Sequence, residues 1–364
     1  MTISRVNLYV DLKKIQENFR EISKKCSPCS IMPILKANAY GLGVVEITNA
    51  LVQVGAKYFG VADLNEANQI CKKVDKVLLL GEMLPQELCL FNDNIVPSIC
   101  SLKSAFAFNK LAKFNNSIIK VHLLIDSGMG RLGIPIENAF NEILKIKDLK
   151  NLKLEGIFSH LSSANCDENY SLKQIQTFNA LILKLKNNSL TFNIYHIANS
   201  DGINNIKISY KAPFNLVRSG INLFGVFDQL GKKDLNLQSV LKLTSKLVSK
   251  RFLKKGSAIG YSQSYILSED TWVGTVPIGY ADGVPQNLSN QAFFYKDEFS
   301  YKVIGKISMD YTTIDLGKTD SISVGDEITV LKGTEDIIKW AEIKGTIPYD
   351  IICSIGNRVK RVYL

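Results

Sequence analysis

The sequence predicts an α/β protein, with an N-terminal (β/α)8 TIM-like barrel over residues 1–235 and a C-terminal, mainly antiparallel β-domain over residues 236–364. Three observations carry this. Short apolar runs recur eight times through the first two-thirds of the chain. Segments with helical spacing lie between most of them. After about residue 235 the texture changes to β-branched, partly alternating runs separated by turn signals. Strands alternating with helices build a parallel sheet, whereas short strands joined by turns build an antiparallel one.

The apolar runs, in order, are IMPIL (31–35), YFGVA (58–62), VLLLG (77–81), IVPSI (95–99), VHLLI (121–125), LEGIF (154–158), IYHIA (194–198) and FNLV (214–217). Runs this short and β-rich read as buried strands rather than helices. Ile47, Leu51 and Val54 fall at helical spacing, as do Phe106, Leu111 and Phe114, and Ile175, Phe178, Leu181 and Leu185. An open doubly wound sheet is the rival, but no GxGxxG opens the first strand-turn, which weakens a dinucleotide site. Past residue 235, SVLKLTSKLVSKRFL, TWVGTVPIGY, YKVIGKISMDYTTIDL and ISVGDEITVL are punctuated by LSED, KDEFS and GD. Near the start, RVNLYVDL (5–12) alternates like a strand and Leu12 to Ile22 looks helical.

Composition narrows the function classes. With 46% hydrophobic and 21% charged residues, the chain reads as an ordinary globular protein. No secretion signal or apolar stretch of about 18 residues is visible, so a cytoplasmic location without membrane spans is expected. The net charge of +10 comes from scattered lysines, which suggests a solvated surface rather than a nucleic-acid site. Seven cysteines in a long chain suggest reduced thiols. Cys26 and Cys29 form a lone CxxC without a second pair, so no metal site is expected.

Candidate chemistry gathers at the strand ends, where barrel enzymes carry their sites. Lys36 ends the first run, before a glycine-rich turn containing Tyr40. A lysine against apolar walls loses hydration of its charged form, and the neutral amine can attack an aldehyde; a surface lysine capping a strand is the commoner case. Arg131 follows the fifth run, His160 the sixth, His196 lies in the seventh before Asn199 and Ser200, and Arg218 ends the eighth. A buried structural role is open for either histidine. SGINLFG (219–225) offers the N–H groups of Gly220 and Ile221 at a helix start, which suits an anion, although a simple glycine turn reads the same.

ILKANAYGLG resembles the cofactor-lysine motif of the alanine racemases, with Leu42 where the family usually has histidine. DSGMGRLG, EGIFSH, HIANSDG, FNLVRSGINLFG, GYSQSY, VPIGYADG, KISMDY and PYDIICSIGNRV look like segments of that family in the family's order, over nearly the whole chain. The resemblance implies an enzyme that interconverts L- and D-alanine with pyridoxal 5′-phosphate (PLP) and supplies D-alanine for peptidoglycan. Lys36 would carry PLP and act as one base, and Tyr261, reaching in from the second subunit of a homodimer, as the other. Tyr40, Ser200, Gly220, Ile221 and Tyr349 would hold the phosphate, with Asn199 beside them. Arg218 would meet the ring nitrogen, supported by His160, and His196 would pack against the ring. Arg131 and the Met309 backbone would meet the substrate carboxylate, while Tyr280 and Asp310 would border the entry. The first strand would join the β-domain.

One departure stands out. Many members of the family carry a lysine seven residues before the equivalent of Arg131, modified to a carbamate that pins the arginine. Here that position is Leu124, so Arg131 must be held otherwise and activity should not depend on bicarbonate. The alternatives are a racemase of broader range, such as serine or lysine, a PLP-binding barrel without turnover, and a PLP-dependent decarboxylase.

Overall fold

The structure, a computed structural model, describes residues 4–84, 86–87, 92, 94–318 and 322–364. It divides into two compact units. One contains Ile15–Ala39 and Gly43–Gln238; the other contains the chain up to Lys14, Tyr40–Leu42 and Ser239–Leu364.

The first unit is the barrel. Each of the eight apolar runs forms strand: Ser30–Pro33, Tyr58–Val61, Lys76–Leu79, Ile95–Val96 with Ser98–Ile99, Ile119–Asp126, Leu152–Phe158, Ile194–His196 and Leu216–Ser219. Neighbours pair in parallel around the ring, and Leu216–Ser219 closes it by pairing with Ser30–Pro33. An Ile34–Gly60 bridge joins the first strand to the second. Pro97 has no N–H to give a ladder, and it interrupts the fourth strand. At the seam between seventh and eighth strands, Asn215 N donates to Tyr195 O (3.1 Å) and Arg218 N to Ala198 O (3.0 Å).

The crossover helices bury the faces their spacing allows. Glu168–Asn187 starts on Asp167, whose side chain accepts from Tyr170 N, and buries Ile175, Phe178, Leu181 and Leu185 as expected. Phe178 is fully buried, and a ring so placed contributes about 1.5–3 kcal/mol. Leu102–Phe114 corrects the reading of its face. Phe106 and Phe114 are exposed, and Ala105, Phe108 and Ala112 face the core. The i, i+3, i+7 set wins because those three share one stripe of a 3.6-residue helix. Val54 lies just past the end of Val44–Gln53, whose Ile47 and Leu51 are buried.

The second unit is built on a six-stranded sheet in the order Phe299–Lys302, Phe293–Lys296, Glu327–Leu331, Leu241–Lys246, Val6–Val10, Lys360–Tyr363. Val6–Val10 runs antiparallel to Leu241–Lys246 and parallel to Lys360–Tyr363. Its Val6, Leu8 and Val10 point inward and Asn7 and Tyr9 are partly exposed, the period-2 pattern of a strand with one buried face. A three-stranded antiparallel sheet joins Ser249–Leu253, Thr271–Val276 and Thr312–Gly317, and a hairpin pairs Ala258–Ile259 with Tyr265–Ile266. Two helices, Thr334–Lys344 and Pro348–Cys353, were not expected from the sequence.

Candidate active site

Lys36 ends the first barrel strand in an unusual way. The next four residues are left-handed: Ala37 (φ 54°), Asn38 (54°), Ala39 (52°) and Tyr40 (58°). L-residues avoid this region because Cβ crowds the following carbonyl. Such strain persists where its surroundings over-determine it, and it clusters at functional sites. Here the turn is tied at several points. Ala39 N donates to Leu35 O (2.8 Å), Gly43 N to Asn38 O (3.0 Å), and Leu35 N to Gly60 O (2.8 Å). The Asn38 side chain accepts from Val44 N (2.9 Å), and Glu66 accepts from both Asn38 N (3.2 Å) and Ala62 N (2.9 Å).

Arg218, at the end of the eighth strand, is buried under four hydrogen bonds. Its terminal nitrogens donate to His196 Nδ1 (2.8 Å), Ser159 O (2.7 Å), His160 Nδ1 (3.0 Å) and Ile197 O (3.0 Å). Its guanidinium carbon lies 5.3 Å from the Phe158 ring centroid. Nε has no acceptor among the described residues. Burial lowers the arginine to about 9. His160 falls to about 3, first through burial and then through the positive charges of Arg218, Arg131 and Lys36. Those four groups therefore share one electrostatic environment at the strand ends.

His196 ends the seventh strand. It is wholly buried, with its ring stacked on Phe158 (centroids 4.6 Å apart, 9° between planes). Its Nδ1 lies 2.8 Å from the Arg218 guanidinium and braces it. Asn199 is likewise engaged: its side chain caps the helix Ser200–Asn205 by accepting from Gly202 N (2.8 Å). That cap places Ser200, whose hydroxyl accepts from Gly220 N (3.0 Å). Ser200, Gly220 and Ile221 thus converge, at a helix start and at the start of the 3-10 turn Ile221–Phe224. The Ser219 hydroxyl is buried beside them without a hydrogen-bond partner among the described residues.

The loop bearing Arg131 is organised by Asp126, whose carboxylate accepts from the backbone of Gly128 (2.9 Å), Met129 (2.8 Å) and Gly130 (3.0 and 3.1 Å). Leu124 is buried in an apolar cluster with Cys100 and Phe158.

In the second unit, the rings of Tyr40 and Tyr349 lie 5.9 Å apart. Tyr261 sits at the tip of the hairpin described above, 70% exposed, between Gly260 (φ 71°) and the left-handed Ser262 (φ 58°). Three loops form a knot around Arg358. Its guanidinium binds Asp282 through two bonds (2.6 and 2.9 Å), Asp310 (2.9 Å) and the Met309 carbonyl (3.4 Å). Tyr280 N and Ala281 N donate to Ser308 O (3.1 Å) and Met309 O (3.2 Å). The Met309 N–H has no acceptor among the described residues. A Cβ on Gly279 would come within 2.2 Å of Ser308 O, so only glycine allows this approach. Sequence reasoning did not single out Arg358, Glu66 or His122, the histidine inside the fifth strand.

A barrel that gathers an amine, a buried guanidinium and a helix start at its strand ends has the layout of a barrel enzyme, whose chemistry sits at that face. The comparisons with known proteins narrow that class. Residues 10–228 match the model of the alanine racemase N-terminal domain and residues 240–363 that of the C-terminal domain. The chain belongs to the alanine racemase family. An alanine racemase of Clostridium kluyveri is 33% identical over 98% of this chain and 93% of its own length, and one of Borreliella burgdorferi is 33% identical over 99% and 98%. Among solved structures, an alanine racemase of Clostridium difficile superposes with a TM-score of 0.93 at 29% identity, covering 100% of this chain and 97% of that one. The alanine racemase of Bartonella henselae, solved with covalently bound pyridoxal phosphate, gives 0.89 at 28% identity and covers 100% of both chains.

Proposed function

We propose that this chain is a PLP-dependent racemase that interconverts L-alanine and D-alanine. The observation that carries it is Arg218, held by two histidines and two carbonyls with Nε left to donate, in the same environment as Lys36.

The residues fit the cofactor. The Nε–H of Arg218 suits a ring nitrogen that accepts. The Ser200 hydroxyl, which accepts from Gly220 N and keeps its own proton to donate, and the Ile221 N–H suit the phosphate, with Tyr40 and Tyr349 as further donors, and Lys36 suits the aldehyde carbon. Bound PLP supplies the electron sink that makes the Cα proton of an amino acid removable. Everything else is the chain's work. Because a guanidinium keeps its protons, Arg218 would donate to the ring nitrogen and leave it unprotonated, which would weaken the sink and hold down side reactions such as transamination. This disfavours a decarboxylase.

Racemisation takes a proton from one face of Cα and returns one to the other. Lys36 serves one face and Tyr261 of the partner subunit the other. A tyrosine 70% exposed at a strained hairpin tip supports a role towards a second copy of the chain. The Arg131 guanidinium and the open Met309 N–H bind the substrate carboxylate, and Tyr280 and Asp310 border the entry. The working unit is a homodimer in the cytoplasm, supplying D-alanine for peptidoglycan. Among the described residues no helix is long and apolar enough to cross a membrane.

The test is a D-amino-acid assay on the purified protein with a panel of L-amino acids, with and without added PLP. D-Alanine formed only by the PLP-loaded protein is the expected result. Comparable D-serine or D-lysine would point to the broader racemase. No D-product from any substrate would refute the proposal.

A further inference from the structure

Behind Arg218 lies a line of buried polar groups that touches neither substrate nor cofactor in the reaction just described. His196 meets Arg218 through Nδ1 and His122 through Nε2, at 2.8 and 2.9 Å. His122 is fully buried in strand Ile119–Asp126, and its Nε2 lies 3.0 Å from the Tyr58 hydroxyl and 3.8 Å from Glu155 Oε2. Glu155 is buried, with Oε2 unpartnered among the described residues and Oε1 held by Lys76 at 2.5 Å. Room for this has been made on purpose. His122 pairs with Gly156 across the sheet, and a Cβ there would meet the imidazole at 2.5–2.7 Å. Polar groups in a barrel core are costly unless every one is satisfied.

The line has a direction. Arginine only donates, so His196 Nδ1 must be the acceptor and its proton must sit on Nε2. That proton points at His122 Nδ1, which must then also accept. The His122 proton is forced onto Nε2, facing the Tyr58 oxygen and the Glu155 carboxylate. Were His122 to carry its proton on Nδ1, two N–H groups would confront each other at 2.9 Å. His196 would have to turn its own proton towards Arg218, donor against donor.

We propose that His122 and Glu155 are positioning residues that fix the tautomer of His196 and so hold Arg218 in its donating orientation. Arg218 demands these tautomers at one end of the line; at the other the Tyr58 oxygen accepts from His122 Nε2 and the Glu155 carboxylate, anchored by Lys76, favours the proton there electrostatically. The link to catalysis rests on the PLP reading above; the tautomer relay itself does not.

Histidine-labelled (15N) PLP-loaded protein tests this directly, because the chain contains only three histidines, each assignable from its own His→Asn variant. Long-range proton–nitrogen correlation reads which ring nitrogen carries the proton. Wild type should show Nε2–H at both His122 and His196. Glu155→Asp should keep that pattern. Glu155→Gln should shift the His196 nitrogens towards a mixture of tautomers and lower kcat while leaving KM for alanine unchanged. If Glu155→Gln does not fold, Gly156→Ala, which expels the His122 ring from its slot, should give the same His196 shift. His196 unchanged in the folded variants, or protonated on Nδ1 in wild type, overturns the proposal. These shifts in a protein without racemase activity would sustain the relay and count only against the assigned reaction.

Discussion

The left-handed turn after Lys36 invites a test at Glu66. Four consecutive left-handed L-residues, at about 1–2 kcal/mol each, store roughly 4–8 kcal/mol locally. No single contact offsets that. The turn is held by backbone bonds at both ends, by the Asn38 side chain and by the Glu66 carboxylate, which ties Asn38 N to Ala62 N. Glu66→Ala removes two hydrogen bonds to an ionised acceptor. These would be worth about 1.5–3 kcal/mol each if sheltered, but Glu66 is half-buried and water will replace part of that. About 2 kcal/mol lost at the turn is a reasonable sum. Since 1.4 kcal/mol is tenfold in rate, kcat/KM for alanine should fall roughly ten- to thirtyfold. The melting temperature should fall by no more than several degrees. Glu66→Gln, which keeps one carbonyl acceptor, should fall between. The assay is steady-state racemisation beside a thermal melt, with PLP saturating. A Glu66→Ala enzyme within twofold of wild type would mean that the turn needs no external brace, and the reasoning would fail.

Two further predictions concern charge. His122, His160 and His196 all have pKa values below the ordinary histidine range, each chiefly through burial. Below about pH 6.5 the unfolded chain takes up protons at these rings that the folded chain refuses, so stability should decline as pH falls from 6.5. Melting scans flat from pH 7 to pH 5 would contradict this. Leu124 packs with Cys100 and Phe158 and has no amine to carry a carbamate, so activity should be the same in bicarbonate-free and bicarbonate-supplemented buffer. A rate that follows dissolved CO2 would refute it.

Much of the barrel was legible because each strand is a short, buried, β-rich run between turn signals, which is the property the fold itself uses. Lys36, His160 and Arg218 were legible for the same reason, being polar residues where such runs stop. The left-handed turn was not. Ala-Asn-Ala-Tyr has no glycine, and only Asn38 tolerates that conformation readily. His122 was absorbed into an apolar strand. Its signal was Gly156, since a glycine inside a strand often marks a close approach, but the register that pairs the two is visible only in three dimensions. The stacking of His196 on Phe158 was not legible either, because the two residues sit on neighbouring strands and meet only in three dimensions. The Leu102–Phe114 face was misread because two large phenylalanines outweighed the small Ala105 and Ala112, which permit closer packing.

Exchange of the alanine α-proton with deuterated solvent, followed separately from L-alanine and D-alanine in wild type and Tyr261→Phe, tests the opposed-base account most directly. Exchange should collapse for one enantiomer and survive largely intact for the other, because Lys36 still serves its own face. Equal losses from both enantiomers would contradict it.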